Sequence, residues 1–78
     1  MLTPTHCRMA RAALHLTLAE VGAVIGVSKE ALSQFEHGNT SVISPLTRNR
    51  LELFYREQGL HFTGAGNVSW RRGAAVAA

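Results

Sequence analysis

The chain has 78 residues, with eight Lys and Arg against five Asp and Glu, a formal net charge of +3 and a sequence pI near 10.0. A domain this small buries only about 60% of the surface that its unfolded chain exposes, so it has no room for both a core and a deep substrate cleft. We therefore expect one small binding domain and not an enzyme. The excess of basic over acidic residues favours a polyanionic partner.

The number and spacing of the cysteine and histidine residues exclude further classes of protein. The single cysteine excludes an internal disulfide framework and favours a reduced, cytoplasmic setting. The N-terminus lacks the pattern of a signal peptide, and the longest apolar run, residues 21–27, is too short to span a bilayer. Cys7 and the four histidines lack the spacings of metal ligands, so we expect no metal site and no cofactor.

The first two predicted helices each begin at a threonine. Thr3 followed by Pro4 is an N-cap with proline at the first helical position, and we expect this helix to run to about residue 15. Thr17 and Glu20 form a capping-box pattern, which predicts a second helix directly afterwards. Gly26 ends that helix, because glycine is the least costly residue in a left-handed C-terminal position.

The third and fourth predicted helices begin at serines. Ser28 caps a helix that runs to about residue 37, and a polar loop follows over residues 39–41. Ser44 followed by Pro45 starts a helix that runs to about residue 58. We expect the inward face of the fourth helix to hold Leu46, Leu53 and Phe54, with Leu51 at its margin.

After residue 59 the apolar period changes from that of a helix to that of a strand. Residues 60–63 and 67–70 alternate apolar and polar side chains around a glycine-rich turn, which predicts a hairpin or two strands that pair with another copy. We expect dimerisation through Phe62, Val68 and Trp70, because little core remains to receive them; packing on the fourth helix is the alternative. The predicted organisation is a helical domain at 1–59, a β element at 60–72 and a flexible tail at 73–78.

Residues 17–38 carry the strongest pattern, two short helices joined by a tight glycine-containing turn. This stretch resembles the Cro and phage-repressor (XRE-type) family of helix-turn-helix DNA-binding proteins. The resemblance covers residues 3–59 and implies a mainly α, four-helix repressor-like domain, to which the short C-terminal β-hairpin or strand pair is added. The matching features are Gly22 between the helices, the turn 26–28, the pair Leu32–Ser33, and Glu36 followed by Gly38.

The resemblance implies that the third helix enters the major groove and reads base edges. Lys29 can donate to guanine, Glu30 can accept from cytosine, and Gln34 can pair with adenine. For Lys29 and Glu30 the alternative is a solvated charge in the first helical turn. The expected base contacts are Ser28, Lys29, Glu30, Ser33 and Gln34.

The family also implies phosphate anchors and one ion pair. An arginine of the first helix and a glutamate at the end of the third pair in this fold, and Arg11 and Glu36 occupy those positions. The chain departs from the family at Leu18, where a glutamine commonly anchors a phosphate. The expected phosphate contacts are Thr17, His37, Asn39, Thr40 and Ser41.

The function implied is that of a homodimeric transcriptional repressor of phage or mobile-element type, which binds an inverted repeat in double-stranded DNA and excludes polymerase sterically. Such proteins often regulate their own operon, and the sequence permits an anti-CRISPR-associated autorepressor. It indicates no membrane partner and no small-molecule ligand. Two alternatives stay open, the antitoxin of a toxin–antitoxin pair and an RNA-binding regulator.

Overall fold

A computed structural model describes residues 2–62 and the backbone of residues 68–70. These ranges form the mainly α architecture expected from the sequence, four helices followed by a pair of short strands. No helix among them is long and apolar enough to cross a membrane. The elements are α1 (Pro4–Ala13), α2 (Leu18–Ile25), α3 (Lys29–Glu36), a 3₁₀ helix (Thr40–Val42), α4 (Pro45–Glu57), β1 (Leu60–Phe62) and β2 (Val68–Trp70).

Each α-helix begins at the hydroxyl residue that the sequence predicts. The side-chain oxygen of the cap accepts a hydrogen bond from a backbone amide three residues on, which satisfies a donor that the helix leaves free. In α2 the capping box is complete, because the Thr17 amide donates to Glu20 Oε1 at 2.8 Å. The four caps are Thr3, Thr17, Ser28 and Ser44.

The helix ends differ from the predictions in two places. α1 ends at Ala13, and His15 lies in the left-handed region with a φ of 56°, so the chain turns before the predicted end. The polar loop expected after α3 contains a turn of 3₁₀ helix. α2 ends as predicted, with Gly26 at a φ of 92°.

α2 and α3 contact each other closely at Gly22. The amides of Gly26 and Val27 both donate to the Gly22 carbonyl, which folds the turn back onto α2. A Cβ at residue 22 would lie 2.5 Å from the carbonyl oxygen of Val27. The close approach of the turn to α2 therefore requires a residue without a side chain at this position.

The inward face of α4 is not the one predicted. Leu51 and Tyr55 are fully buried, whereas Leu46 and Leu53 are 71% and 59% exposed, so their assignment to the core is wrong. Phe54 is half-buried and packs against the core, as predicted. The helix is therefore rotated relative to the prediction, and its two most exposed leucines face away from the domain.

Arg48 lies on the inward face of α4 in this rotation. Its side chain is half-buried, and its guanidinium lies 5.2 Å from the centre of the Phe35 ring, the geometry of a cation–π contact. Arg48, Leu51 and Tyr55 follow one another at helical spacing and share one face of α4. An arginine whose stem packs on an aromatic ring thus takes an inward position that a hydrophobic pattern does not assign to a charged residue.

The strands pair with each other within one chain. β1 and β2 are antiparallel, with Leu60 opposite Trp70 and Phe62 opposite Val68. Leu60 is buried in the core below α4. Within the described chain the two strands therefore pair with each other, and Leu60 packs β1 against the helical domain. The fully described core consists of Leu2, Cys7, Ala10, Val21, Ile25, Leu32, Phe35, Ile43, Leu51, Tyr55 and Leu60.

A buried polar cluster joins three of the helices. The Glu36 side chain, at the end of α3, is only 2% exposed. Arg11 of α1 donates to both of its oxygens, from Nε and Nη2, each at 2.9 Å. The Cys7 thiol donates to Glu36 Oε2 at 3.5 Å, and the Tyr55 hydroxyl of α4 lies 3.8 Å from the Cys7 sulfur. The expected ion pair is thus present, within a larger cluster.

The cluster shifts the acidity of its members. Burial, followed by the negative charge of Glu36, raises the pKa of the Cys7 thiol to about 12. Burial also raises the pKa of the Tyr55 hydroxyl. The hydrogen bond to Glu36 raises the pKa of Arg11. Cys7 is therefore a neutral thiol at physiological pH, which matches a structural role.

The first prediction concerns Gly22. Alanine normally favours a helix by about 1 kcal/mol over glycine, so Gly22→Ala would stabilise the domain if the position were open. Because the added Cβ would meet the Val27 carbonyl, we expect the free energy of unfolding to fall instead, by about 1–3 kcal/mol. Urea denaturation followed by circular dichroism measures the sign.

Gly26→Ala is the matched comparison. No atom lies within 4 Å of a Cβ built at Gly26, so only the left-handed backbone opposes this substitution. We expect a loss of about 1–2 kcal/mol for this second variant. A Gly22→Ala protein more stable than the wild type would contradict the close contact of the turn with α2.

The second prediction concerns the buried cluster. Arg11→Lys retains the charge but cannot bind both Glu36 oxygens and the Leu16 carbonyl, which the arginine also contacts at 3.2 Å. We expect the free energy of unfolding to fall by about 1–3 kcal/mol. Arg8→Lys is the control, because Arg8 is exposed on the same helix; it should change stability by less than about 0.5 kcal/mol.

Cys7 reports on the same cluster. A buried thiol with a raised pKa should resist an aromatic disulfide reagent at pH 8 in the native protein and react once urea unfolds the chain. Labelling should become faster in Arg11→Lys and remain slow in Arg8→Lys. Equal labelling rates in the native and unfolded wild type would rule out the buried position of the thiol.

Candidate nucleic-acid interface

α3 has one buried face and one exposed face. Leu32, Phe35 and Glu36 are buried, and they hold the helix against the domain. The opposite side carries only polar side chains near the N-terminal end, the end that reads bases in a helix-turn-helix. The residues expected to contact bases all lie on that side, with Ser33 half-buried and the others exposed: Ser28, Lys29, Glu30, Ser33 and Gln34.

These side chains differ in how many hydrogen bonds they already make within the chain. Lys29 and Glu30 make no hydrogen bond or ion pair with residues 2–62, so both are free to reach a partner from the first turn of α3. Ser28 Oγ accepts from the Ala31 amide at 3.1 Å, which leaves its hydroxyl proton to donate. Gln34 Oε1 accepts from Asn39 Nδ2 at 3.4 Å. Their contact with bases stays a prediction.

The N-terminus of α2 offers less than expected to a phosphate. The Thr17 amide is taken by the Glu20 carboxylate, and the Thr17 hydroxyl oxygen accepts from the Glu20 amide at 3.0 Å. Only the hydroxyl proton of Thr17 is left to donate. Leu18 is half-buried and packs against the core, so the position where the family commonly has a phosphate-binding glutamine contributes to packing here.

The residues after α3 are exposed but mostly bonded to one another. Ser41 Oγ donates to Asn39 Oδ1 at 2.9 Å. The Nδ1 of His37 lies 2.7 Å from the Ser33 carbonyl and must donate to it, so Nε2 becomes a donor only in the imidazolium form. Thr40 makes no side-chain hydrogen bond with the described part of the chain. Of the predicted phosphate contacts in this segment, Thr40 is therefore the one with its hydroxyl fully available.

The predicted dimer residues fall into two groups. Phe62 is half-buried, with its ring 5.0 Å from that of His6 and 6.4 Å from that of Tyr55, measured between ring centres. It therefore packs within its own chain. The side chains of Val68 and Trp70 lie outside the described residues, and so does the predicted tail at residues 73–78. Dimerisation through this element stays a prediction.

The sequence predicted only part of the buried polar cluster that holds α3. It predicted Arg11 and Glu36 but treated Cys7 as a small hydrophobe and left Tyr55 out. A signal was present, because Cys7 lies four residues before Arg11 and so shares its face of α1. Arg11 also binds the Leu16 carbonyl, just before α2 begins. The cluster thus ties α3 to the segment that leads into α2.

Comparison with known proteins supports the helix-turn-helix geometry. The family described as HTH_3, helix-turn-helix, matches residues 8–52, more than half of the chain. This range contains α2, the turn, α3 and most of α4. Neither curated proteins nor solved structures gave a match. The chain therefore belongs to the HTH_3 family of Cro-like (XRE-type) helix-turn-helix DNA-binding domains.

Proposed function

We propose that the protein is a sequence-specific repressor that binds double-stranded DNA in the cytoplasm as a homodimer and regulates its own operon. The observation that carries this proposal is the exposed polar face of α3, positioned by a helix-turn-helix whose other face is buried. Lys29, Glu30 and Gln34 offer a donor, an acceptor and an amide, which together suit the edges of different base pairs. The net charge of +3 favours the DNA backbone.

Repression by occupancy suits a domain of this kind. A protein that covers a promoter needs affinity for its site and no contact with polymerase, whereas an activator needs a second surface. Autoregulation, including the role in phage, mobile-element or anti-CRISPR operons, rests on the resemblance to this family. Its natural test is whether the protein binds the DNA upstream of its own gene.

The proposed contacts divide into base readers and phosphate anchors. Among the proposed base readers, Gln34 lies nearest the C-terminal end of α3. Its amide can pair with adenine. Thr40 is the proposed anchor with an available hydroxyl. Phosphate contacts position a protein without distinguishing sequences, whereas base contacts discriminate. The two classes therefore predict different effects on cognate and random DNA.

The third prediction uses this difference. Gln34→Ala should lose about 1–3 kcal/mol on a duplex selected from a random pool and should relax preference at one base pair. Thr40→Ala should weaken binding to the selected and the scrambled duplex by the same factor. Fluorescence anisotropy titrations at one fixed salt concentration measure both effects.

Duplex RNA of the selected sequence serves as competitor in the same titrations. RNA that competes as well as DNA would favour the RNA-binding alternative. Equal losses for both variants on scrambled DNA would remove Gln34 from the base readers. If the wild type selects no sequence from the pool, the proposed repressor function fails as a whole.

The fourth prediction concerns the dimer. We propose that Trp70 lies in the contact between copies, so Trp70→Ala should give a monomer with folded helices, at a cost of about 2–4 kcal/mol in dimer stability. DNA affinity should fall as well, because two half-sites are no longer bound as a unit. Light scattering and circular dichroism measure assembly and folding. Footprinting of the wild type should show an inverted repeat with half-site centres about 10 bp apart, or a multiple of this.

The exposed leucines of α4 provide the comparison variant. Leu46→Asp combined with Leu53→Asp places charge on a face that is already in solvent, so this protein should stay dimeric. If Trp70→Ala stays dimeric and the leucine variant becomes monomeric, the interface lies on α4. If Trp70→Ala unfolds, the tryptophan belongs to the core of its own chain.

A further inference from the structure

We propose that Asn39 is a positioning residue which, held by Ser41, sets the direction in which the Gln34 amide faces DNA. This inference rests on the proposed function, because it assumes that Gln34 reads a base. It assigns Asn39 and Ser41 a different role from the phosphate contacts expected from the sequence. They act through Gln34, and so they contribute to specificity.

Two side-chain hydrogen bonds in series and one backbone hydrogen bond connect these residues. The Ser41 hydroxyl donates to Asn39 Oδ1 at 2.9 Å, and Asn39 Nδ2 donates to Gln34 Oε1 at 3.4 Å. The Asn39 backbone amide also donates to the Gln34 carbonyl at 2.9 Å, which holds the two residues side by side. All three residues are exposed, and Asn39 and Ser41 follow the C-terminal end of α3.

The structure gives each of the two amides one direction. A side-chain amide has an acceptor oxygen at one end and a donor nitrogen at the other. Ser41 donates to the oxygen of Asn39, and the nitrogen of Asn39 faces Gln34. That nitrogen in turn attracts the oxygen of Gln34 and leaves Gln34 Nε2 without a partner among residues 2–62. In the arrangement that the structure shows, the Gln34 amide therefore keeps its oxygen towards Asn39 and its nitrogen free.

This orientation matters for base recognition. Adenine presents an N7 acceptor and an N6 donor in the major groove, and a glutamine pairs with both only when its nitrogen faces N7. A carbonyl oxygen has two lone pairs, so Gln34 Oε1 can accept from Asn39 and from adenine at once. The reversed amide presents its oxygen instead and suits the N4 donor of cytosine. Asn39 thus favours adenine over cytosine at the position that Gln34 reads.

Asn39→Asp tests the series, because a carboxylate accepts hydrogen bonds but donates none. It draws Gln34 Nε2 inwards and turns the oxygen towards DNA. We expect the ratio of affinities for adenine and cytosine at one base pair to fall about tenfold, the size of one bidentate base contact. Asn39→Ala and Ser41→Ala release the amide and should lower the same ratio by a smaller factor.

The new negative charge needs its own control. Thr40→Asp places the same charge at the next residue, outside the series, and should weaken binding to all duplexes by one common factor. The readout is fluorescence anisotropy on four duplexes that differ only at the base pair whose preference is lost in Gln34→Ala. In a Gln34→Ala background, Asn39→Asp should change affinity without changing the ratio between bases.

The outcomes separate the two proposals. If Asn39→Asp and Thr40→Asp weaken all four duplexes alike, Asn39 is a phosphate contact and the positioning role is wrong, while the repressor function stands. If Asn39→Asp changes base preference equally in the presence and absence of Gln34, Asn39 reads a base itself and the series is also wrong. If Gln34→Ala loses preference at no base pair, Gln34 reads no base and the positioning role is wrong, while a wild type that selects no sequence at all overturns both proposals. Circular dichroism of each variant verifies that the helices remain folded.

Discussion

The buried carboxylate of Glu36 is the group on which the position of α3 depends. A carboxylate that is almost fully removed from water is costly unless charged and hydrogen-bonding partners surround it. Arg11 supplies two aligned donors, and the Cys7 thiol supplies a third. Because Arg11 belongs to α1 and Glu36 closes α3, satisfying one charge fixes the relative position of two helices. The interaction therefore contributes to geometry as well as to stability.

Because α3 is held in one position, one set of its residues faces the core and another set faces solvent. Leu32 and Phe35 pack into the core on the side that Glu36 also faces, and Lys29, Glu30 and Gln34 are exposed to solvent. On the α2 side, the bare backbone of Gly22 lets the turn approach closely. The recognition helix is thus positioned by a buried charge at its C-terminal end and by a close backbone contact before its N-terminal end.

The polar residues around α3 contribute through their hydrogen bonds to one another as much as through their exposure. Thr17 uses most of its capacity to cap α2, and Asn39 lies between Ser41 and Gln34. A count of exposed polar groups would treat these residues as equivalent phosphate contacts. Their existing partners distinguish them, because a group that already donates or accepts has fewer bonds left for DNA.

The sequence by itself determined the four helices, their caps and the two helices of the DNA-binding motif, because a hydroxyl cap and a C-terminal glycine act within a few residues of chain. It also indicated Arg11 and Glu36, through the resemblance to a family. The rotation of α4, the pairing of the strands within one chain and the place of Tyr55 in the polar cluster needed the tertiary structure. Arg48 packs on Phe35 from another helix, and Tyr55 reaches Cys7 across 48 residues. Such contacts depend on which elements become neighbours in space, and the period of a single helix carries no information about them.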